Sequence, residues 1–416
     1  MSGSEMNQMI TGEQALDRLL KSAHPLTGTE TVPILEANGR ILAAPQISKI
    51  NVPGADNSSM DGYAVRAADC AGGGVTLPVS QRIPAGQVGR PLEPGTAARI
   101  FTGAPIPPGA DAVVMQEDCV AQGDKVTINH VPAPGEWVRK FDEDIRKGEF
   151  ILHAGTRLRP QELGLAASVG VSDLTVVRRV RAAIFFTGDE LVMPGNPLEP
   201  GKIYNSNRYL LTGLLQNLGC DITDFGNVAD TLDATRRTMS DAAQEHDLII
   251  TSGGVSVGEE DHIRPAMESL GRLKMWNIAI KPGKPLALGE IDRKSKGADG
   301  QRSVTPFIGL PGNPVSTFIL FALFVKPFIL RLQGVQHVVP KVFSLRADFT
   351  WNKAGPRNEY LRARMNQRGG LDLFKNQSSG VLTSTVWGDG LIDNPPGSNI
   401  NPGDMVRFIP FNELIY

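Results

Sequence analysis

The chain has 416 residues, of which 41% are hydrophobic and 21% are charged, so it is long enough for about two to four globular domains. A formal net charge of -2 leaves no basic excess, which argues against a nucleic-acid partner. Its three cysteines are too widely spaced for a disulfide framework, and the longest uncharged apolar run, residues 315–325, falls short of the roughly 20 residues that cross a bilayer. We therefore expect a cytoplasmic protein with no membrane partner.

The first predicted element is a helix over residues 12–23, because Thr11 and Gln14 match a capping box and leucines follow at helical spacing. From residue 29 to residue 159, short β-branched runs alternate with glycine and proline turns, and residues 160–170 are predicted to be helical. This pattern predicts an extended linking region at residues 1–50 and 140–178. An inserted β-rich domain is predicted at residues 51–139.

Strands and helices alternate between residues 179 and 334, which predicts a doubly wound, mostly parallel sheet. The predicted strands are 180–186, 221–228, 247–251, 274–280, 286–291 and 306–310, and the predicted helices are 206–218, 232–245, 262–270 and 314–332. Residues 335–416 return to short strands and turns without a clear helix, so they are predicted to form a small all-β domain. The predicted fold class is therefore multi-domain, α/β plus β.

Glycine and charged residues follow nearly every strand of the predicted α/β domain. In open α/β sheets, ligands bind outside the carboxyl ends of the strands, so these turns are candidate binding segments. The sequence Ser252-Gly253-Gly254 leaves backbone N–H groups unobstructed and can cradle an oxyanion. Lys281 and Lys284 supply positive charge, and the stiff turn of residues 311–314 begins a helix with its donors facing the crevice.

Three carboxylates in the same turns, Glu190, Asp230 and Asp261, are hard oxygen ligands suited to Mg²⁺ held jointly with substrate phosphates. Taken singly, each turn has an ordinary structural explanation: a glycine pair is usually only a turn, and an aspartate such as Asp230 often caps a helix. Their coincidence at one sheet edge favours a site for a phosphorylated ligand, with Mg²⁺ as the predicted cofactor.

A second polar cluster lies in the β-rich part, at residues 56–65, 99–105 and 141–144. The first segment runs into the apolar sequence Tyr63-Ala64-Val65, so a strand is expected to hold it in place. An ordinary loop, and a solvated acidic turn at residues 141–144, remain the alternative readings.

Six motifs in this order resemble those of the molybdopterin molybdenumtransferases, a family that includes the E domains of gephyrin and of its plant counterpart. The motifs are residues 56–65 (DNSSMDGYAV), 102–105 (TGAP), 187–191 (TGDEL), 252–258 (SGGVSVG), 280–285 (IKPGKP) and 310–316 (LPGNPVS). The resemblance covers essentially the whole chain. It implies a C-terminal β-barrel at residues 335–416, beyond a molybdopterin-binding α/β domain at 179–334.

The resemblance also implies a reaction: Mg²⁺-dependent insertion of molybdate into adenylyl-molybdopterin, with release of AMP. It implies an elongated homodimer in which each active site is shared, so that the loop carrying Asp61 in one chain faces the sheet edge of the other. The molybdopterin adenylyltransferase is a possible further partner.

The site residues that follow from the turns and the resemblance fall into two groups. The predicted catalytic residues are Asp61, Thr102, Asp144, Glu190, Asp230 and Asp261, the last three also as metal ligands. The predicted substrate-binding residues are Ser252, Gly253, Gly254, Ser256, Lys281, Lys284, Pro311, Pro314, Ser316, Arg362 and Ser379.

One departure from the family pattern is Asp142, where glycine is usual. Three alternatives also stay open from the sequence: the related adenylyltransferase, a tungstate-handling relative, and a non-catalytic dimeric scaffold. The adenylyltransferase usually lacks the β-rich N-terminal half and the barrel, whereas a scaffold would have no need of the acids and lysines.

Overall fold

The computed structural model describes residues 9–255, 262–295 and 303–416. The chain divides into two compact units. The first contains residues 9–30 and 39–43 and the described part of residues 175–416, and the second contains residues 31–38 and 44–174. Two of the boundaries between the units fall within strands, which are Thr29–Pro33 and Asp173–Val177.

A six-stranded sheet forms the centre of the first unit. Its strand order is Asp221–Val228, Arg181–Thr187, Leu248–Ser252, Val304–Leu310, Pro285–Asp292 and Gly271–Asn277. The first four strands are parallel, and each of the last two is antiparallel to its neighbours. The prediction of a doubly wound, mostly parallel sheet is therefore confirmed.

Helices cover both faces of this sheet because its central strands are apolar on both sides. Along the strand Arg181–Thr187, Ala182, Ile184 and Phe186 belong to one core, while Ala183 and Phe185 belong to the other. The first core is covered by the helices Gly12–Lys21, Ser206–Asn217, Pro314–Leu320 and Lys326–Leu332, and the second by Leu232–Glu245 and Ile263–Leu270. The capping box predicted at Thr11 and Gln14 is present.

The helix predicted from residue 314 to residue 332 is continuous, with a π-helical segment at Phe321–Val325. Among the described residues, Pro314–Leu332 alone has the length and composition to cross a membrane, with a mean hydropathy of 1.9. Inside the protein, 89% of its apolar window is buried. Packing in the core therefore accounts for the apolar sequence of this helix.

The C-terminal part of the first unit is a closed barrel of five strands: Phe343–Ala347, Asn358–Met365, Gly370–Leu373, Gly390–Asn394 and Met405–Pro410. The strand Asn358–Met365 pairs with both Gly370–Leu373 and Gly390–Asn394, which closes the ring. The expectation that this region has no helix is wrong, because the short helix Thr383–Trp387 lies between two of the strands and Phe411–Ile415 follows the last one. Two further short strands of the first unit, Leu191–Val192 and Ile203–Tyr204, pair with each other.

The second unit is β-rich, as predicted. Its main sheet has the order Ala112–Met115, Gly62–Val65, Ala97–Ile100, Val75–Ile83, Lys125–Ile128 and Cys119–Gln122. Two small ladders join Val138–Arg139 to Asn57–Ser58 and Phe150–Leu152 to Gln46–Ile47. Its helical segments are Ile34–Glu36, Ala67–Cys70, Gln116–Asp118 and Pro160–Ser168.

Candidate functional site

A pocket of about 550 Å³ opens at the carboxyl edge of the central sheet in the first unit. Two turns supply most of its wall, residues 281–285 and 311–313, and a barrel loop at residues 377–379 contributes to it. Of the predicted substrate-binding residues, it brings together Gly254, Lys281, Lys284, Pro311, Ser316 and Ser379. A smaller cavity of about 180 Å³, at the opposite edge beside Asp247 and Lys274, contains none of them.

The turn of residues 281–285 reaches this edge because the strands on either side of it are antiparallel. Gly271–Asn277 ends at the carboxyl edge and Pro285–Asp292 begins there. Gly283 has φ +105°, and a Cβ placed on it would lie 3.0 Å from Leu320 Cγ. The turn therefore requires glycine at this position.

A network of buried side-chain hydrogen bonds holds the turn at residues 311–313, which lines the pocket. Asn207 donates to Ser252 Oγ at 2.8 Å and to the Gly312 carbonyl at 2.7 Å. Ser252 and Thr317 each donate to the Pro311 carbonyl. Because Ser252 is only 2% exposed, it orients the surrounding turns and does not line the pocket. Asn207 and Thr317 are not among the residues predicted from the sequence, since nothing local to them indicates where their side chains meet.

Three cations line the pocket, and they differ in their partners. Lys281 Nζ lies 2.7 Å from Glu359 Oε1, whereas Lys284 makes no ion pair with any described residue. Arg357 donates to the Ile280 carbonyl at 3.1 Å and was missed in the sequence. Its position just before the barrel strand Asn358–Met365 is the signal that could have identified it. The pocket can therefore hold an anion between several donors.

Arg362 lies elsewhere than expected. Its side chain is fully buried and does not line the pocket. It donates to the carbonyls of Tyr360 and Ser378 and to Ser384 Oγ, and Gln377 bonds both its backbone N–H and its carbonyl. Burial lowers the pKa of the guanidinium to about 10. In this structure the Arg362 side chain bonds the loop at the pocket wall, and its role in substrate binding stays a prediction.

The remaining residues predicted in the first unit occupy the same sheet edge. Gly253 follows the strand Leu248–Ser252, and Pro314 begins the helix after Val304–Leu310. Glu190 and Asp230 follow neighbouring parallel strands, and Asn227 connects their turns by donating to the Leu191 carbonyl at 3.3 Å.

Ser256 and Asp261 lie outside the described residues. Within the part of the chain that is described, no three acidic, histidine or cysteine side chains form a metal-binding group. The predicted metal site is therefore described only for Glu190 and Asp230.

In the second unit, Asp61 and Thr102 are brought together. The carboxylate of Asp61 accepts hydrogen bonds from the backbone N–H and the hydroxyl of Thr102, both at 2.8 Å. These two bonds lower the pKa of Asp61, so the group is an anion at neutral pH. The structure therefore holds the Asp61 carboxylate against the Thr102 hydroxyl, and the catalytic role of both residues stays a prediction.

Asp144 is exposed and its backbone N–H donates to the Val52 carbonyl. Nearby, Asp142 has φ +60°, a conformation that favours glycine and is tolerated by aspartate. Its carboxylate lies 3.3 Å from Arg146. Asp142 therefore adopts a backbone conformation that glycine also adopts freely, which is the residue that the family resemblance predicts at this position.

Family comparisons match three consecutive regions of the chain. Residues 10–170 match the MoeA N-terminal region (domain I and II), residues 183–331 match a probable molybdopterin binding domain, and residues 344–411 match the MoeA C-terminal region (domain IV). Together these regions include every segment of the pocket described above.

Individual relatives match over nearly the full length. The chain is 38% identical to a molybdopterin molybdenumtransferase of Haemophilus influenzae, over 98% of this chain and 100% of that protein. It is 33% identical to molybdopterin molybdenumtransferase 2 of Mycobacterium tuberculosis, over 94% and 96% of the two chains. A crystal structure of the molybdopterin biosynthesis moeA protein from Pyrococcus horikoshii superposes with a TM-score of 0.81 at 27% identity, covering 97% of this chain and 100% of that one.

Proposed function

Because the chain belongs to the molybdopterin molybdenumtransferase family, we propose that it inserts molybdate into adenylyl-molybdopterin and releases AMP. The observation that carries this proposal is the pocket at the carboxyl edge, where Lys281, Lys284 and Arg357 meet hydroxyl groups and glycine-rich turns. Molybdate is a tetrahedral dianion and is stabilised by cations and by N–H and O–H donors. Ser316 and Ser379 supply the hydroxyl donors in this wall.

Orientation of the oxyanion is the main contribution of these residues. The turns at 281–285 and 311–313 are held by strand pairing and by the network beneath them, so their donors are fixed before the ligand binds. Fixed donors stabilise developing negative charge without having to reorganise during the reaction. Two Mo–S bonds would then form to a molybdate that is held in one position, while two of its oxide ligands leave as water with protons from the two thiols and the solvent. Hydrolysis of the pyrophosphate bond by a further water would release AMP.

Mg²⁺ is the proposed cofactor, and Glu190 and Asp230 are the described residues that would bind it, with Asp261 as a third ligand. Their chemistry fits, because carboxylate oxygens are the hard ligands that Mg²⁺ takes together with substrate phosphates. When bound, the ion would neutralise the charge of the bridging phosphates. We place Asp61, Thr102 and Asp144 in the same reaction, contributed by the second copy of a homodimer.

Two further elements complete the proposal. The enzyme acts in the cytoplasm, and the molybdopterin adenylyltransferase is the candidate partner that supplies its substrate. Both rest on the family and on the chemistry of the substrate.

The direct test is the release of AMP from adenylyl-molybdopterin by the purified protein, with and without molybdate. We expect AMP release to depend on molybdate. Equal release in both conditions would refute the proposal, while adenylylation of molybdopterin from ATP by this protein alone would favour the adenylyltransferase activity.

A further inference from the structure

Glu359 is a buried acid directly behind one of the pocket lysines. Its side chain is 1% exposed, compared with 45% for Lys281. One carboxylate oxygen accepts from Lys281 Nζ at 2.7 Å, and the other accepts from Trp351 Nε1 at 2.8 Å. Both oxygens of the buried carboxylate are thus occupied by donors.

Backbone pairing fixes the two partners opposite each other. The strand Ile280–Lys281 runs parallel to Asn358–Met365, with Lys281 in register with Glu359. A buried carboxylate is stable only when it is paired, so the Lys281 ammonium is held against Glu359. Glu359 therefore fixes the position of the Lys281 ammonium, and the two charges of the pair cancel.

We propose that Glu359 is a positioning residue for oxyanion binding. It balances the charge of Lys281 and leaves that ammonium as an oriented hydrogen-bond donor, while Lys284 and Arg357 supply the net attraction. The inference rests on the proposed function, because it takes the pocket as the molybdate site. As a consequence, the arrangement of the hydrogen-bond donors decides which oxyanion binds, more than the total charge of the pocket does.

The test is calorimetric binding of molybdate, and separately of sulfate, to the full-length protein and four variants. Glu359→Gln removes the negative charge that compensates Lys281, so molybdate should bind about three- to tenfold more tightly. The ratio of the molybdate affinity to the sulfate affinity should decrease. General damage to the pocket would weaken molybdate binding, which is the opposite of the effect expected for Glu359→Gln. Trp351→Phe is the matched control, because it removes a bond to Glu359 without changing any charge, and it should leave affinity within about twofold.

Lys281→Met supplies the second arm. It leaves Glu359 as an uncompensated buried anion, so molybdate should bind more than about tenfold more weakly. Adding Glu359→Gln to this variant should recover much of the loss. This recovery remains measurable even where the single Glu359→Gln variant does not fold.

Weaker or unchanged molybdate binding by folded Glu359→Gln would overturn the proposal, as would a double variant that binds no better than Lys281→Met. Failure of the proposed function would be seen separately, as molybdate-independent AMP release by the unmodified protein.

Discussion

Two arginines at the same barrel strand differ in burial, which predicts a binding role for one and a structural role for the other. Arg357 precedes the strand Asn358–Met365 and lines the pocket. Arg362 belongs to that strand and has no exposed surface. Sequence alone does not distinguish them, because they are five residues apart and both carry a positive charge. Only the direction of each side chain in the folded barrel decides which one can meet a ligand.

This difference predicts opposite effects of removing the two side chains. Arg357→Ala should raise the KM for molybdate roughly tenfold and change the free energy of unfolding by less than about 0.5 kcal/mol. Arg362→Ala should lower the free energy of unfolding by about 3 kcal/mol, because it leaves a cavity and buried acceptors without donors. Chemical denaturation and steady-state kinetics on both variants measure this, and a stable, weakly binding Arg362→Ala protein would contradict it.

A buried ion pair at the opposite edge of the sheet gives a pH prediction. Asp247 is 7% exposed; burial raises its pKa, but its hydrogen bonds from Arg178 and the Arg181 N–H outweigh burial, so the pKa is lowered. A lowered folded-state pKa stabilises the protein above the unfolded value, near 4, and that contribution is lost as pH falls through the folded value.

Asp247→Asn should therefore lower the free energy of unfolding at pH 7 by about 3 to 5 kcal/mol. The difference from the unmodified protein should shrink progressively below about pH 4. Urea denaturation of both proteins between pH 7 and pH 2 measures these effects. A difference in the free energy of unfolding that stays constant down to pH 2 would contradict the stabilisation by the Asp247–Arg178 pair.

Among the elements, the pocket turns depend on glycine in unequal ways. Gly283 has positive φ and lies against Leu320, whereas a Cβ at Gly312 would meet nothing within 4 Å. Gly283→Ala should lower the free energy of unfolding by about 1 to 3 kcal/mol and raise the KM for molybdate, because the turn must shift. Gly312→Ala is the control for stability and should change it by less than about 0.5 kcal/mol; equal losses in the two variants would disprove the distinction.

The elements were largely predictable because periodicity is a local signal. The helix Leu232–Glu245 and the strand Asp221–Val228 occur at the predicted residues, and the strand-end turns gather at one edge as the topology requires. The partners of the site residues were not predictable. Glu359 pairs with Lys281, and Asn207 bonds Gly312, across long stretches of chain, so no local pattern contains these contacts.

For the whole molecule, the proposed sharing of active sites between subunits predicts complementation. Asp61→Asn and Lys284→Ala proteins should each be inactive as homodimers. After they are unfolded and refolded together, half of the dimers should be mixed, each with one intact site, giving about a quarter of full activity if assembly is random. Co-refolding of either variant with itself is the control, and a mixture as inactive as its components would argue for sites built from a single chain.

The position of bound molybdenum shows whether the pocket at the carboxyl edge is the site of insertion. Crystals of the protein grown with molybdate should give an anomalous peak at the molybdenum absorption edge inside the pocket, within about 4 Å of Lys284 Nζ and beside Ser379. Anomalous density confined to another surface, with this pocket clear at saturating molybdate, would contradict the assignment of the carboxyl edge as the site of insertion.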